Sequence, residues 1–188
     1  MLFRSRITTV IPPAPWTAAG MLAVMTQERV TVGQGVPTQW RLVLDLPNFD
    51  DADLSALRIV GTGAATVPPD LVREMERRLG CPVVIGYTST EAAITTGTVP
   101  GDAPEVMAAT VGRRRENVEL EVVDDAGRSC PLGTVGRVRC RSGAVMRGYW
   151  HDPERTAEVL ASDGWLSTGD LGRLDERGYL TLVGRRSE

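Results

Sequence analysis

The fold is decided by residues 57–91, which read LRIVGTGAATVPPDLVREMERRLGCPVVIGYTSTE. Residues 57–60 have the mostly apolar, β-branched composition of a buried strand, and residues 82–85 repeat it. Between these segments, apolar side chains recur at helical spacing after Pro69, and Gly80 supplies a signal for the end of a helix. Because two strands joined by a helix usually pair in parallel, this stretch predicts an α/β fold with a mostly parallel sheet.

The residues before this stretch continue the alternation of strand and helix signals. We expect a strand at residues 7–11, a helix that Thr17 caps, a second strand at 30–32 and a second helix at 37–44. These elements supply the helices that flank the predicted sheet.

The pattern changes after residue 111. Residues 118–123 and 136–141 alternate in hydrophobicity, a turn signal stands at 124–127, and Asp152 is placed to cap a short helix. Short alternating strands with tight turns favour a small antiparallel, β-barrel-like subdomain. The predicted organisation is an α/β subdomain, a β-rich subdomain and the start of an interdomain hinge, at 1–112, 113–184 and 185–188.

The composition excludes several chemistries. The chain has 188 residues, and all 21 of its basic residues are Arg. Without Lys it cannot form a Schiff base or a Walker-type phosphate loop, and the single His151 excludes a centre built from several histidines. The formal net charge of −3 argues against a nucleic-acid partner.

Two further features concern location. Cys81, Cys130 and Cys140 lie far apart in the sequence, which favours free thiols in a reducing cytoplasm. Residues 7–27 carry no charge, but prolines interrupt them and the apolar remainder is too short for a membrane span.

Polar and flexible residues follow two of the predicted strands. Gly61, Thr62 and Gly63 follow the first, and residues 86–91 follow the second. Ligands usually bind at this end of a parallel sheet, and residues 86–91 combine an aromatic ring, hydroxyls and a carboxylate, as a nucleotide with Mg²⁺ requires. Taken alone, most segments of this kind are ordinary turns.

Two later segments offer similar side chains. Asp170 follows a glycine and is suited to bind a ribose diol, and Arg185 can contact phosphate or ribose oxygens. By themselves, these residues are equally compatible with a turn and a solvated strand end.

The order and spacing of the motifs are more specific than any one of them. The chain contains, in this order, Val30 to Thr38, Gly61 to Ala64, Gly86 to Glu91, Gly148 to Pro153, Asp163 to Trp165, Ser167 to Asp170 and Gly178 to Arg185. This series resembles the successive motifs of the adenylate-forming (AMP-binding) superfamily over nearly the whole chain. Within that superfamily, the sequence is most similar to bacterial fatty-acid or other carboxylic-acid:CoA ligases.

The resemblance implies a two-step reaction with ATP and Mg²⁺, in which a carboxylic acid forms an acyl-adenylate and CoA then displaces AMP. It implies these roles: catalysis for Thr90 at the α-phosphate and for Glu91 with Mg²⁺; adenine stacking for Tyr87; ribose contacts for Asp170 and Arg185; and further nucleotide or acyl contacts for Gly61, Thr62, Gly63, Ala64, Gly86 and Thr88.

Two parts of the superfamily pattern are not found in the 188 residues. These are the phosphate loop that ends in Pro-Lys-Gly and the C-terminal domain with its catalytic lysine, and the hinge position usually held by Asp or Lys is Ser187. We therefore expect a fragment that binds AMP or ATP at best and does not catalyse adenylation, and that self-associates if apolar surface is exposed. The alternative is a non-catalytic nucleotide-binding or interaction module derived from the same scaffold.

Overall fold

The computed structural model of the chain describes residues 7–65 and 67–186, so the expected hinge position Ser187 lies outside the described residues. The chain divides into two units, Met1–Val83 and Val84–Glu188. The described helices are α1 Ala18–Gln27, α2 Pro37–Leu44, α3 Pro69–Leu79, α4 Pro104–Ala109 and α5 Pro153–Val159. The described strands are β1 Val32–Gln34, β2 Ile59–Gly63, β3 Val83–Ser89, β4 Ala93–Gly97, β5 Arg113–Arg114, β6 Glu119–Val123, β7 Gly136–Arg141, β8 Leu166–Leu174 and β9 Leu180–Arg185.

The first unit places helices against a parallel strand pair. Strands β1 and β2 pair in parallel, with Val32 opposite Ile59, and α2 packs against both α1 and α3. Fully buried apolar side chains, among them Trp40 and Met75, form the core. Thr17 Oγ1 accepts the backbone N–H of Gly20 at 3.0 Å, and Gly80 ends α3 in the left-handed conformation, so both predicted helix boundaries are confirmed.

The strand predicted at residues 7–11 is wrong. These residues form no strand, and the side chains of Ile7 and Ile11 are 68% and 79% exposed. A β-branched run becomes a strand only when a neighbouring strand accepts its backbone hydrogen bonds, and no described strand pairs with this segment. The strand predicted at 30–32 is observed two residues later in the chain, as β1 at Val32–Gln34.

In the second unit the pairing becomes antiparallel. Strand β4 pairs with β3 on one side and with β5 on the other, antiparallel in both cases. The connection from β3 to β4 is only residues 90–92, which is too short for the crossover that parallel strands need. Parallel pairing, as predicted from the sequence, is therefore confirmed for β1 and β2, whereas β4 is antiparallel to both β3 and β5.

The predicted antiparallel part is confirmed as a sheet in the order β6-β7-β8-β9, with every pair antiparallel. The turn expected at 124–127 follows β6, and after it Ser129 forms an antiparallel bridge with Val123, the last residue of β6. The sheet is open in the described residues, with β6 and β9 at its edges, so it does not close into a barrel. Its core includes the buried side chains Val122, Val138 and Leu180.

Helix α5 begins as the sequence predicted. The Asp152 side chain accepts the backbone N–H of Arg155 at 2.9 Å, and Pro153 occupies the first helical position, where its missing N–H costs nothing. Among the described helices, none combines the length and the apolar composition that crossing a bilayer requires. The three-part division at 1–112, 113–184 and 185–188, the cytoplasmic location and the self-association stay predictions.

Cys140 provides a direct check on the second unit. Its thiol is 1% exposed, and burial raises its pKa to about 11, whereas Cys130 is half-buried. Because the thiolate is the reactive form, we expect iodoacetamide at pH 8 to label Cys140 in the folded protein much more slowly than Cys130. In urea both cysteines should react alike, and mass spectrometry of peptides measures the two rates. Equal rates in the folded protein would contradict the burial of Cys140.

Candidate functional site

The predicted site residues on β3 lie where that strand turns into β4. Gly86, Tyr87 and Thr88 belong to β3, and Thr90 and Glu91 occupy the turn that follows. The hydroxyl of Ser89 accepts the backbone N–H of Ala92 at 3.1 Å, which closes the turn. Thr88 and Thr90 are exposed, whereas Tyr87 and Glu91 are half-buried. The turn thus presents hydroxyls and one carboxylate at a strand end.

Strands β8 and β9 supply the other predicted polar residues of the second unit. Asp170 and Arg185 are opposite each other in the β8–β9 register, and Arg185 Nε lies 3.1 Å from Asp170 Oδ1. The register shifts between Leu171 and Gly172, and β9 contributes one residue more than β8 at this point. The Asp170 side chain is 15% exposed and that of Arg185 is 59% exposed. The ion pair therefore has one sheltered and one solvated partner.

The Tyr87 side chain joins this pair. Its hydroxyl donates a hydrogen bond to Asp170 Oδ2, and the backbone N–H of Asp170 donates to Thr168 Oγ1 at 3.2 Å. Burial raises the pKa of Tyr87 above its usual value, and the hydrogen bond to the Asp170 carboxylate raises it further. Both carboxylate oxygens of Asp170 consequently have partners. The structure brings together Tyr87, Asp170 and Arg185.

The carboxylate of Glu91 has a partner that the sequence did not reveal. Tyr149 donates its hydroxyl to Glu91 Oε1 at 3.0 Å. The pKa of Glu91 lies below its usual value because its own backbone amide, then the Tyr149 hydroxyl and the Ser89 hydroxyl, bond to the carboxylate; the charge of Arg185 adds to this effect. Tyr149 stands in a motif recognised in the sequence, but nothing local shows that a residue 58 positions away is its partner.

The remaining predicted residues, Gly61, Thr62, Gly63 and Ala64, lie at the end of β2 in the first unit. The carbonyl of Gly61 accepts hydrogen bonds from Trp40 Nε1 at 3.1 Å and from the Gly35 amide at 3.2 Å. Ala64 has a φ of 62°, and the buried hydroxyl of Thr62 has no hydrogen-bond partner among the described residues. Such an unpartnered hydroxyl is uncommon, because most buried polar side-chain atoms form a hydrogen bond.

The side chains of the described residues show whether the chain suits the binding of the predicted Mg²⁺. They hold no group of three or more His, Cys, Asp or Glu side chains that could bind a metal ion by themselves. Mg²⁺ bound with a nucleotide usually keeps several waters and takes one or two protein carboxylates together with phosphate oxygens. The single carboxylate of Glu91 is ionised at neutral pH, as an ordinary glutamate is, and its pKa is lowered further, so it fits that requirement.

Comparison with known proteins relates the chain to enzymes that bind AMP. The family model described as AMP-binding enzyme matches residues 1–150. Indoleacetate–CoA ligase of Aromatoleum aromaticum is 38% identical over 181 residues, which are 96% of this chain and 35% of that protein. Medium-chain fatty-acid–CoA ligase of Escherichia coli is 35% identical over 173 residues, or 92% of this chain and 30% of that protein.

A solved structure extends the comparison to the fold. The crystal structure of the anthranilate CoA ligase AuaEII in complex with anthranoyl-AMP matches with a TM-score of 0.83 and 30% identity, over 95% of this chain and 34% of that one. The chain thus spans about a third of the length of these relatives. Because the family model covers most of the chain and the fold agrees, the chain belongs to the AMP-binding enzyme family.

Proposed function

We propose that the chain is the nucleotide-holding part of an ATP-dependent carboxylic-acid:CoA ligase. In this reaction the carboxylate of the acid attacks the α-phosphorus of ATP, the bond to pyrophosphate breaks, and an acyl-adenylate forms. The thiol of CoA then attacks the acyl carbon, and AMP leaves. The chain on its own is proposed to bind AMP or ATP without catalysing these steps.

The arrangement around Asp170 is the observation that carries the proposal. Its sheltered carboxylate is an acceptor pair for the two hydroxyls of a ribose, and the ion pair with Arg185 orients it. The ring of Tyr87, whose hydroxyl reaches the same carboxylate, is proposed to lie against the adenine. A base and its ribose would thus be recognised by neighbouring side chains.

The turn after β3 is proposed to serve the phosphates. The exposed hydroxyl of Thr90 would donate to an oxygen of the α-phosphate, and Glu91 would hold Mg²⁺. When bound, Mg²⁺ would neutralise charge on the phosphate oxygens during the attack. Gly86 and Thr88 are proposed as further nucleotide contacts. Gly61, Thr62, Gly63 and Ala64 are proposed as nucleotide or acyl contacts of the first unit.

The acid and the acceptor are proposed from the relatives. Two of the relatives are CoA ligases named for indoleacetate and for medium-chain fatty acids, which share an apolar body and a carboxylate. We propose a fatty acid or a similarly apolar carboxylic acid as the substrate, and CoA as the acceptor.

Variants of Tyr87 test the proposal through nucleotide binding. Tyr87→Ala removes the ring and should weaken AMP binding by about 10-fold or more, since stacking of a base on an aromatic ring contributes about 1–3 kcal/mol. Tyr87→Phe keeps the ring and frees Asp170 Oδ2, so it should bind AMP at least as tightly as the wild type. Isothermal titration calorimetry of the 188-residue chain with AMP measures both.

The Asp170→Asn variant completes this test. It removes the charge that pairs with Arg185, and AMP binding should fall by about 10-fold, while Glu176→Gln in an exposed turn should change nothing. If Tyr87→Ala and Asp170→Asn both bind AMP like the wild type, the proposed nucleotide site is wrong.

A further inference from the structure

We propose that Tyr149 is a positioning residue for Glu91. Its hydroxyl holds the Glu91 carboxylate in the orientation that a nucleotide-bound divalent cation requires. The inference rests on the proposed function, because it assigns a role to the same carboxylate. Its basis is the hydrogen bond from the Tyr149 hydroxyl to Glu91 Oε1 at 3.0 Å, in a turn that is otherwise short and partly exposed.

The segment of residues 146–149 grips Glu91 at two points. At one end, the backbone N–H of Met146 donates to the Glu91 carbonyl at 2.7 Å; at the other end, the Tyr149 hydroxyl binds the carboxylate. The backbone bond fixes where the residue sits, and the side-chain bond fixes how its carboxylate is turned. A glutamate in a surface turn without such contacts would sample many rotamers and would have to lose that freedom on binding a metal.

Tyr149 is itself anchored on the first turn of α5. Its backbone N–H donates to Thr156 Oγ1 at 2.8 Å, and that hydroxyl donates to the Asp152 carbonyl at 2.7 Å. The guanidinium of Arg155 lies 5.3 Å from the centre of the Tyr149 ring, within the range of a cation–π contact. Both the backbone and the ring of Tyr149 are therefore held by contacts, and these contacts position the hydroxyl that binds Glu91.

This arrangement has the form of an outer-shell contact in a metal site. Residues that bond to a metal ligand, without touching the metal, typically change metal affinity by about 10- to 100-fold when they are substituted. For Tyr149→Phe, which keeps the ring and its contact with Arg155 and removes only the hydroxyl, we expect an effect at the lower end of this range.

The test separates metal-dependent from metal-independent nucleotide binding. The affinity of the 188-residue chain for ATP is measured by calorimetry with and without Mg²⁺, and the ratio of the two affinities is the readout. Tyr149→Phe should reduce this ratio by about 10-fold and leave the affinity for metal-free AMP unchanged. Tyr179→Phe is the matched control, since it also deletes a hydroxyl bonded to a carboxylate, that of Asp102, and should leave the ratio unchanged.

A double variant shows whether Tyr149 acts through Glu91. Glu91→Gln should abolish the effect of Mg²⁺, and adding Tyr149→Phe to it should cause no further loss, because the two residues would work as one unit. If Glu91→Gln leaves the Mg²⁺ effect intact, the proposed function is wrong at this residue. If Glu91→Gln abolishes the effect while Tyr149→Phe preserves it, or weakens AMP equally without metal, positioning by Tyr149 is refuted and the proposed function stands.

Discussion

Replacing Gly112 by Ala is expected to prevent stable folding of the second unit. Gly112 has a φ of 82°, and a Cβ built on it would lie 1.9 Å from the carbonyl carbon of Gly97 and 2.2 Å from the amide nitrogen of Thr98. Gly112 cannot easily move away, because its carbonyl accepts the backbone N–H of Leu180 at 2.9 Å. The added methyl group would therefore displace the backbone at the end of β4.

The expected loss is about 4 kcal/mol or more in the free energy of unfolding, which is exceptional for a single substitution. Gly127→Ala is the matched control, since Gly127 has a φ of 80° and no atom within 4 Å of the built Cβ. It should cost only about 1–2 kcal/mol for the left-handed backbone. Urea unfolding followed by circular dichroism measures both variants. Equal losses would show that the close approach of Gly112 and Gly97 does not constrain the fold.

Replacing Trp40 by Ala is expected to have the largest effect in the first unit. The Trp40 side chain is fully buried, and its indole N–H donates to the Gly61 carbonyl at 3.1 Å. Gly33 packs directly against it, since a Cβ at Gly33 would lie 2.9 Å from the indole ring. Truncation leaves a large cavity and removes the hydrogen bond, so we expect a loss of about 3–5 kcal/mol.

Two variants separate the causes of this loss. Trp40→Phe keeps most of the apolar volume and loses the N–H donor, and it should cost about 1–2 kcal/mol beyond a small packing change. Trp150→Ala makes the same truncation at a side chain that is 89% exposed and should cost almost nothing. Urea unfolding, with amide hydrogen exchange at β2 as a local probe, gives the three values. A small effect of Trp40→Ala would mean that the indole does not support the strand carrying Gly61.

Local signals in the sequence were sufficient for much of the fold. The helix caps Thr17 and Asp152 and the terminator Gly80 act within one turn of their own positions, so a short window contains both the signal and its effect. Strand pairing lacks this property. The segment at 7–11 carries a strand composition without a partner, and the switch to antiparallel pairing at β4 depends on a turn whose length becomes evident only when the strands are seen.

The candidate site divides in the same way. Tyr87 and Asp170 were recognised from motifs in the sequence, but their contact spans 83 positions, and no local pattern describes it. Tyr149 was visible within a motif and yet had no assigned role, because its hydroxyl acquires meaning only beside Glu91. Motifs can identify which residues a family retains, whereas the pairing of their polar atoms follows from tertiary packing.

The extra residue at the register shift between β8 and β9 has a consequence for Asp170. From Leu174 to Gly172, each residue of β8 faces the residue of β9 at a constant offset, and continuing that offset would place Gly184 opposite Asp170. The additional residue, Val183, advances β9 by one position, and because side chains alternate between the two faces of a sheet, this brings the guanidinium to the carboxylate. A single additional residue in β9 therefore decides which face of the sheet the Arg185 side chain occupies, and with it whether the ion pair with Asp170 can form.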